Sequence, residues 1–128
     1  MIAEDSTGAA AALKGRRILL VEDEYLIDYM QRGLEAAGSD VIGPAPSVED
    51  ALALIAQESV DGAVLDFNLG GEKSYPVADA LQARGIPFLF ATGYDAGDIL
   101  PAWQHVRRLE KPIDVATIAR VLSVQAAP

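Results

Sequence analysis

AVLDFNL, residues 63–69, is a short apolar run that reaches a carboxylate at Asp66 and is followed by two glycines, Gly70 and Gly71. A run of this length and polarity is typical of a strand that is buried on both faces of a parallel sheet. In open α/β sheets, ligands bind beyond the carboxyl ends of the strands. The stretch therefore predicts an α/β fold in which Asp66 is chemically used.

Apolar runs alternate with helix-like segments along the rest of the chain. The predicted strands are 16–21, 41–43, 62–65, 86–91 and 106–109, and the predicted helices are about 25–37, 47–57, 76–85, 98–104 and 114–124. Ser47 and Asp50 resemble a capping box at the start of the second helix. Strict alternation predicts a parallel sheet with helices on both faces, which is a three-layer (βα)5 sandwich. No G-x-G-x-x-G follows the first strand, and this favours the flavodoxin-like strand order 2-1-3-4-5 over a Rossmann-like order.

Composition limits the class of protein. The 128 residues predict one domain, with a flexible tail at 1–14 and the folded unit at 15–126. No apolar stretch approaches the roughly 18 residues of a membrane span, and the N-terminus does not resemble a signal peptide. There is no cysteine, so a cytoplasmic protein without thiol chemistry is expected. The net charge of −9 argues against a nucleic-acid binder and fits a protein partner or a bound cation.

The predicted strand order brings five groups from the ends of four strands to one edge of the sheet: Glu22, Asp23, Asp66, Thr92 and Lys111. Two unit charges 4 Å apart repel by about 4 kcal/mol at an intermediate dielectric. Three carboxylates at this edge therefore need raised pKa values or a cation. Oxygen ligands without cysteine or clustered histidine point to Mg²⁺.

A carboxylate beside a cation, a lysine and a hydroxyl is equipped to accept a phosphoryl group. Asp66 would be the nucleophile, as in aspartyl-phosphate chemistry. Lys111 would neutralise charge on the transferring oxygens, and Thr92 would donate a hydrogen bond.

Four motifs carry a family resemblance: VEDE at 21–24, LD at 65–66, ATG at 91–93 and EKP at 110–112. With these motifs in this order and spacing, residues 16–125 resemble a receiver domain of the two-component response regulators. The resemblance implies that a histidine kinase phosphorylates Asp66, that Thr92 is the switch hydroxyl and that Lys111 pairs with the phosphoryl group. It also implies a cis bond between Lys111 and Pro112. The implied ligands of Mg²⁺ (or Mn²⁺) are the side chains of Glu22, Asp23 and Asp66 and the backbone carbonyl of Asn68.

The sequence departs from the usual receiver pattern at the switch position. Most receivers have an aromatic switch residue three positions before the lysine, where this chain has Arg108. Its fourth strand instead reads FATGY at 90–94, which resembles a receiver subgroup often paired with kinases of the HWE or related families. We expect Tyr94, or rearrangement of 95–103, to replace the missing aromatic residue. Trp103 is expected either to pack in the core or to anchor a partner.

The sequence favours a stand-alone receiver without an effector domain, which signals through protein contacts of its fourth helix, fifth strand and fifth helix. It would not be an enzyme beyond accepting its own phosphoryl group and losing it again. The alternative roles are a phosphate sink or a phosphorelay intermediate. A small aspartate-nucleophile phosphatase is less favoured, because such enzymes usually need a second acid where this chain has Asn68. The intact acidic pair and lysine argue against a third option, an interaction module that works without phosphorylation.

Overall fold

A computed structural model describes residues 12–23, 27–93, 99–111 and 113–126, with the side chains of 124–126 left out. Five strands form the main sheet: β1 (Arg17–Val21), β2 (Asp40–Ala45), β3 (Gly62–Asp66), β4 (Phe88–Thr92) and β5 (Arg108–Glu110). The helices are α1 (Ile27–Ala36), α2 (Val48–Gln57), α3 (Tyr75–Ala83) and α4 (Val115–Ala126). A short 3₁₀ turn at Pro101–Trp103 lies between β4 and β5.

The five strands are parallel and lie in the order β2-β1-β3-β4-β5. The predicted flavodoxin-like fold is therefore confirmed. Alternate residues of each central strand enter two separate cores, as the strand period requires. In β1, Leu19 and Val21 face the core shared with α2 and α3, while Ile18 and Leu20 face the core shared with α1 and α4. The sheet is thus covered on both sides, and this explains the apolar runs of the sequence.

Several predicted boundaries differ from the structure. β2 continues through Pro44, which is tolerated because β2 is an edge strand. β5 begins at Arg108 rather than at residue 106. In the described part of the predicted helix 98–104, the structure has only the 3₁₀ turn. Ser47 caps α2 as expected, because its hydroxyl oxygen accepts the N–H of Asp50 at 3.1 Å.

The segment after β3 is a small antiparallel hairpin rather than an irregular loop. Its strands, Asn68–Leu69 and Glu72–Lys73, are joined by Gly70 and Gly71. These glycines have φ of +56° and +91°, as in a two-residue type I′ turn. The hairpin directly follows Phe67, whose N–H donates to the carbonyl oxygen of Ala91 in β4 at 2.9 Å.

Arg17 organises the opposite, amino edge of the sheet. Its guanidinium donates to Asp40 at 2.9 Å, to Glu58 at 2.6 Å and to the carbonyl oxygen of Ser59 at 2.7 Å. Its backbone N–H donates to the carboxylate of Asp61 at 2.8 Å. Leu13 belongs to the segment predicted as a tail, yet its side chain is buried in the core beside this edge.

Candidate functional site

Three strands deliver the candidate site residues to the carboxyl edge of the sheet. Asp66 is the last residue of β3, and Glu22 directly follows β1, the strand paired with β3. Lys111 directly follows β5, and its N–H donates to the carbonyl oxygen of Thr92 at 2.9 Å. Residues far apart in the sequence therefore meet because the parallel strands end together.

Lys111 lies between two buried carboxylates. Its Nζ is 3.2 Å from both carboxylate oxygens of Glu22 and 3.2 Å from Oδ2 of Asp66. The three side chains are only 4%, 1% and 2% exposed for Lys111, Glu22 and Asp66. One ammonium group thus bridges two carboxylates from different strands in an environment that excludes most water.

The surroundings raise the pKa of Asp66 to about 7. Burial is the largest cause, followed by the hydrogen bond and the negative charge of Glu22. The charge of Lys111 and the backbone N–H of Asn68, which donates to Oδ1 of Asp66 at 3.2 Å, act in the opposite direction. A second positive charge at this position would favour the ionised form of Asp66.

The site has carboxylate oxygens that could bind a positively charged ion. Glu22, Asp23 and Asp66 each offer a carboxylate oxygen, and these three atoms lie within 4.8 Å of one another. Gly70 approaches the same cluster: a Cβ placed on it would lie 3.4 Å from Oδ2 of Asp23. An all-oxygen set with this charge fits a hard divalent cation such as Mg²⁺. The role predicted for the Asn68 carbonyl stays a prediction.

Thr92 ends β4 at the same edge, one residue beyond Ala91, which pairs with Asp66. Its hydroxyl donates to the carbonyl oxygen of Leu109 at 3.5 Å, and its own carbonyl binds the N–H of Lys111. Thr92 is therefore tied to β5 and to Lys111, which follows it. Its switch role stays a prediction.

The other predicted residues lie apart from the acidic cluster or outside the described chain. Arg108 is exposed on the edge strand β5. Trp103 is 8% exposed and packs against Tyr75, Phe88 and His105, so it offers little free surface to a partner. Tyr94 lies outside the described residues, as does Pro112 with the bond predicted to be cis.

Sequence reasoning missed two residues next to this site, Gly70 and Tyr75. The signal for Gly70 was the Gly-Gly pair, which is a hairpin turn when strands flank it, but two-residue strands give no recognisable alternation. Tyr75 precedes Pro76 at the start of α3, where nothing in the sequence indicates its contacts with other aromatic rings.

Solved structures of known proteins match this chain over nearly its whole length. The solution structure of SdrG from Sphingomonas melonis Fr1 is 41% identical, covers 91% of this chain and 98% of its own, and superposes with a TM-score of 0.76. The BeF3-activated conformation of SdrG from Pseudomonas melonis Fr1 is 42% identical over 87% of this chain and 96% of its own, with a TM-score of 0.67. The response regulator PhyR from Brucella abortus, at 24% identity and a TM-score of 0.69, shares the fold over 94% of this chain and 51% of its own.

Among curated proteins, the sensory transduction protein LytT of Bacillus cereus is 35% identical over 83 residues, which are 62% of this chain. The chain spans only 34% of the length of that relative. No protein-family model matches the chain. In the described part of the chain, no helix is long and apolar enough to cross a membrane.

The parallel sheet, the acidic cluster beside Lys111 and the likeness to SdrG over almost the full chain agree with one another. The chain belongs to the family of response regulator receiver domains.

Proposed function

We propose that Asp66 accepts a phosphoryl group from a histidine kinase and that the phosphorylated receiver signals through protein contacts. The observation that carries this proposal is the position of the Lys111 Nζ, 3.2 Å from the buried carboxylates of both Glu22 and Asp66 in the acidic cluster. The Lys111 ammonium contacts the Asp66 carboxylate directly, so it is placed to pair with the oxygens of a phosphoryl group attached there.

In the proposed reaction an Asp66 oxygen attacks the phosphorus of a phosphohistidine. The bond between phosphorus and the histidine nitrogen breaks, the nitrogen keeps the electron pair, and an acyl phosphate forms on Asp66. The ionised carboxylate is the nucleophilic form of Asp66, so Lys111 and the Asn68 N–H support the reaction by lowering the pKa of Asp66. The Lys111 ammonium would then shift from Glu22 and Asp66 toward the phosphoryl oxygens.

Glu22, Asp23 and Asp66, with the Asn68 carbonyl, would hold Mg²⁺ or Mn²⁺ at this site. When bound, the cation would neutralise charge on the transferring oxygens. The reaction is the chain's own modification and its reversal by water, so we expect no turnover of an external substrate.

The likeness to SdrG supports a phosphorylation-dependent change of conformation, since that protein has a BeF3-activated form. We further propose that this chain belongs to the subgroup with the FATGY motif and receives its phosphoryl group from a kinase of the HWE or a related family. Tyr94, or rearrangement of 95–103, would serve where the aromatic residue at 108 is missing. A Tyr94→Ala variant with the same phosphorylation-induced spectral change as the parent would contradict the role of Tyr94.

Phosphotransfer profiling tests the proposed function. Purified, radiolabelled histidine kinases, those of the HWE family included, are mixed with the parent and with Asp66→Asn. We expect rapid transfer from at least one kinase to the parent and none to the variant. Transfer to both proteins alike would refute the proposal. Capture of a non-kinase protein by the phosphorylated form alone would indicate a switchable binder, whereas fast return of the label to the kinase would indicate a phosphate sink or relay.

A further inference from the structure

Tyr75, which begins α3, connects the neighbourhood of Asp66 with the segment before β5. Its ring meets the ring of Phe67 edge-on at a centroid distance of 5.6 Å. In the segment before β5, Tyr75 contacts Trp103, whose ring is stacked on Tyr75 at a centroid distance of 6.2 Å and an interplanar angle of 18°. The Tyr75 hydroxyl oxygen accepts the backbone N–H of Leu100 at 3.0 Å.

A displacement of Asp66 would also displace Phe67, because Phe67 is the next residue in the chain and is fully buried. Its N–H donates to the carbonyl of Ala91 at 2.9 Å, and its carbonyl accepts the N–H of Ser74, the residue before Tyr75, at 3.1 Å. A displacement of the backbone at Asp66 therefore reaches Tyr75 through both a ring contact and the chain.

Residues 99–103 receive little support from regular structure. Their one regular element is the 3₁₀ turn at Pro101–Trp103, and Leu100 is 53% exposed, although Ile99 and Trp103 are buried. The hydrogen bond from Leu100 to the Tyr75 hydroxyl and the stacking of Trp103 on Tyr75 are therefore two of the interactions that position this segment. Arg108 is exposed on the edge strand, whereas Tyr75 supplies an aromatic side chain that touches both the segment and the residue beside Asp66.

We propose that Tyr75 is a positioning residue that couples the chemical state of Asp66 to the position of residues 99–103. It does so through its ring contacts with Phe67 and Trp103 and through the hydrogen bond from Leu100. This inference rests on the proposed function, because it requires that Asp66 be modified. The coupled segment carries the exposed Leu100 and Pro101, so its displacement would change the surface that the receiver presents.

The experiment uses Tyr75→Phe, which removes the hydroxyl and keeps the ring, and Tyr29→Phe as the matched control. Tyr29 is 55% exposed on α1 and far along the chain from the coupled segment. Trp103 is the only tryptophan of the sequence, so its fluorescence reports on this segment alone. The full chain is treated with acetyl phosphate and Mg²⁺, phosphorylation is measured by intact mass, and the responses of Trp103 fluorescence and of the Leu100 amide resonance are recorded.

We expect the parent, Tyr75→Phe and Tyr29→Phe to be phosphorylated to the same extent. The Trp103 and Leu100 responses should shrink in Tyr75→Phe, because loss of one hydrogen bond changes the underlying equilibrium constant about fivefold, and should be unchanged in Tyr29→Phe. Full-sized responses in Tyr75→Phe, or a phosphorylated parent with no response at either residue, would overturn the coupling role alone. A parent that acquires no phosphoryl group would overturn this inference together with the proposed function.

Discussion

At each edge of the sheet, a positively charged side chain contacts carboxylates, but the two clusters are suited to different roles. At the amino edge, Arg17 has a separate partner for each part of its guanidinium, and the side chains of Arg17, Asp40 and Glu58 are 33%, 59% and 40% exposed. At the carboxyl edge, Lys111 is shared by Glu22 and Asp66, all three are nearly inaccessible, and Asp23 adds a third carboxylate.

The difference shows how exposure and the number of charges decide what an ion cluster does. The planar guanidinium of Arg17 matches several acceptors at once, and nearby water screens what remains. The Lys111 ammonium faces more negative charge than it can neutralise, in a place where water cannot help. The amino edge is therefore suited to stability, and the carboxyl edge is suited to binding further positive charge and to chemistry.

Removal of the buried cation should have the largest effect. In Lys111→Met without divalent cations, Glu22 and Asp66 lose their shared partner, and we expect the free energy of unfolding to fall by about 3 kcal/mol. Urea unfolding followed by circular dichroism measures this loss. A loss no larger than that of Arg17→Met would show that the two edges do not differ as described.

Replacement of the buried carboxylate should instead stabilise the protein, in a pH-dependent way. Because the folded pKa of Asp66 is raised from 3.8 to about 7, ionisation of Asp66 costs stability as the pH rises through that interval. In metal-free buffer, Asp66→Asn should be more stable than the parent by roughly 2–4 kcal/mol at about pH 8, the upper figure being the full change from 3.8 to about 7 at about 1.4 kcal/mol per pH unit, and should lose this advantage at about pH 4. Urea unfolding at both pH values measures the difference, and Asp61→Asn at the amino edge is the control. An advantage that is equal at both pH values would contradict the account.

The exposed cluster should tolerate more. Arg17→Met should lower the free energy of unfolding by about 1–2 kcal/mol, because it removes two partly exposed ion pairs and one hydrogen bond to a carbonyl. High salt should reduce this difference, since it screens exposed pairs. Unfolding in low and high salt tests this prediction, and a loss that salt does not reduce would contradict the exposed character of the pairs.

Substitution of Asp114 should have the smallest effect on stability. Asp114 lies at the same edge of the sheet as the buried Asp66, so the two carboxylates show what burial changes. Its exposed carboxylate accepts two hydrogen bonds from Thr117 at the start of α4, one from the backbone N–H at 2.8 Å and one from the side-chain hydroxyl at 2.9 Å. These hydrogen bonds lower the pKa of Asp114, so its contribution is present at neutral pH and is lost as the pH falls through the folded pKa. Asp114→Ala should cost about 1 kcal/mol at neutral pH, as for other helix caps. Thermal unfolding against pH measures it, and a cost that persists in strong acid would contradict the assignment.

The sequence was sufficient for the order of the sheet and for the meeting of Glu22, Asp66 and Lys111, because apolar runs locate the strands and parallel strands end together. It did not predict contacts that depend on packing between distant segments. Arg17 lay at the start of an expected strand, but its partners come from β2 and from the end of α2. The contacts of Tyr75 with Phe67, Trp103 and Leu100 depend in the same way on how α3 lies against the sheet.

The most direct test of the difference between the edges is the location of the phosphoryl group. The parent, Asp66→Asn and Asp61→Asn are incubated with acetyl phosphate and Mg²⁺, and intact masses are recorded by mass spectrometry. The account predicts the added mass of one phosphoryl group on the parent and on Asp61→Asn, and none on Asp66→Asn. An equal mass increase on all three proteins would contradict it.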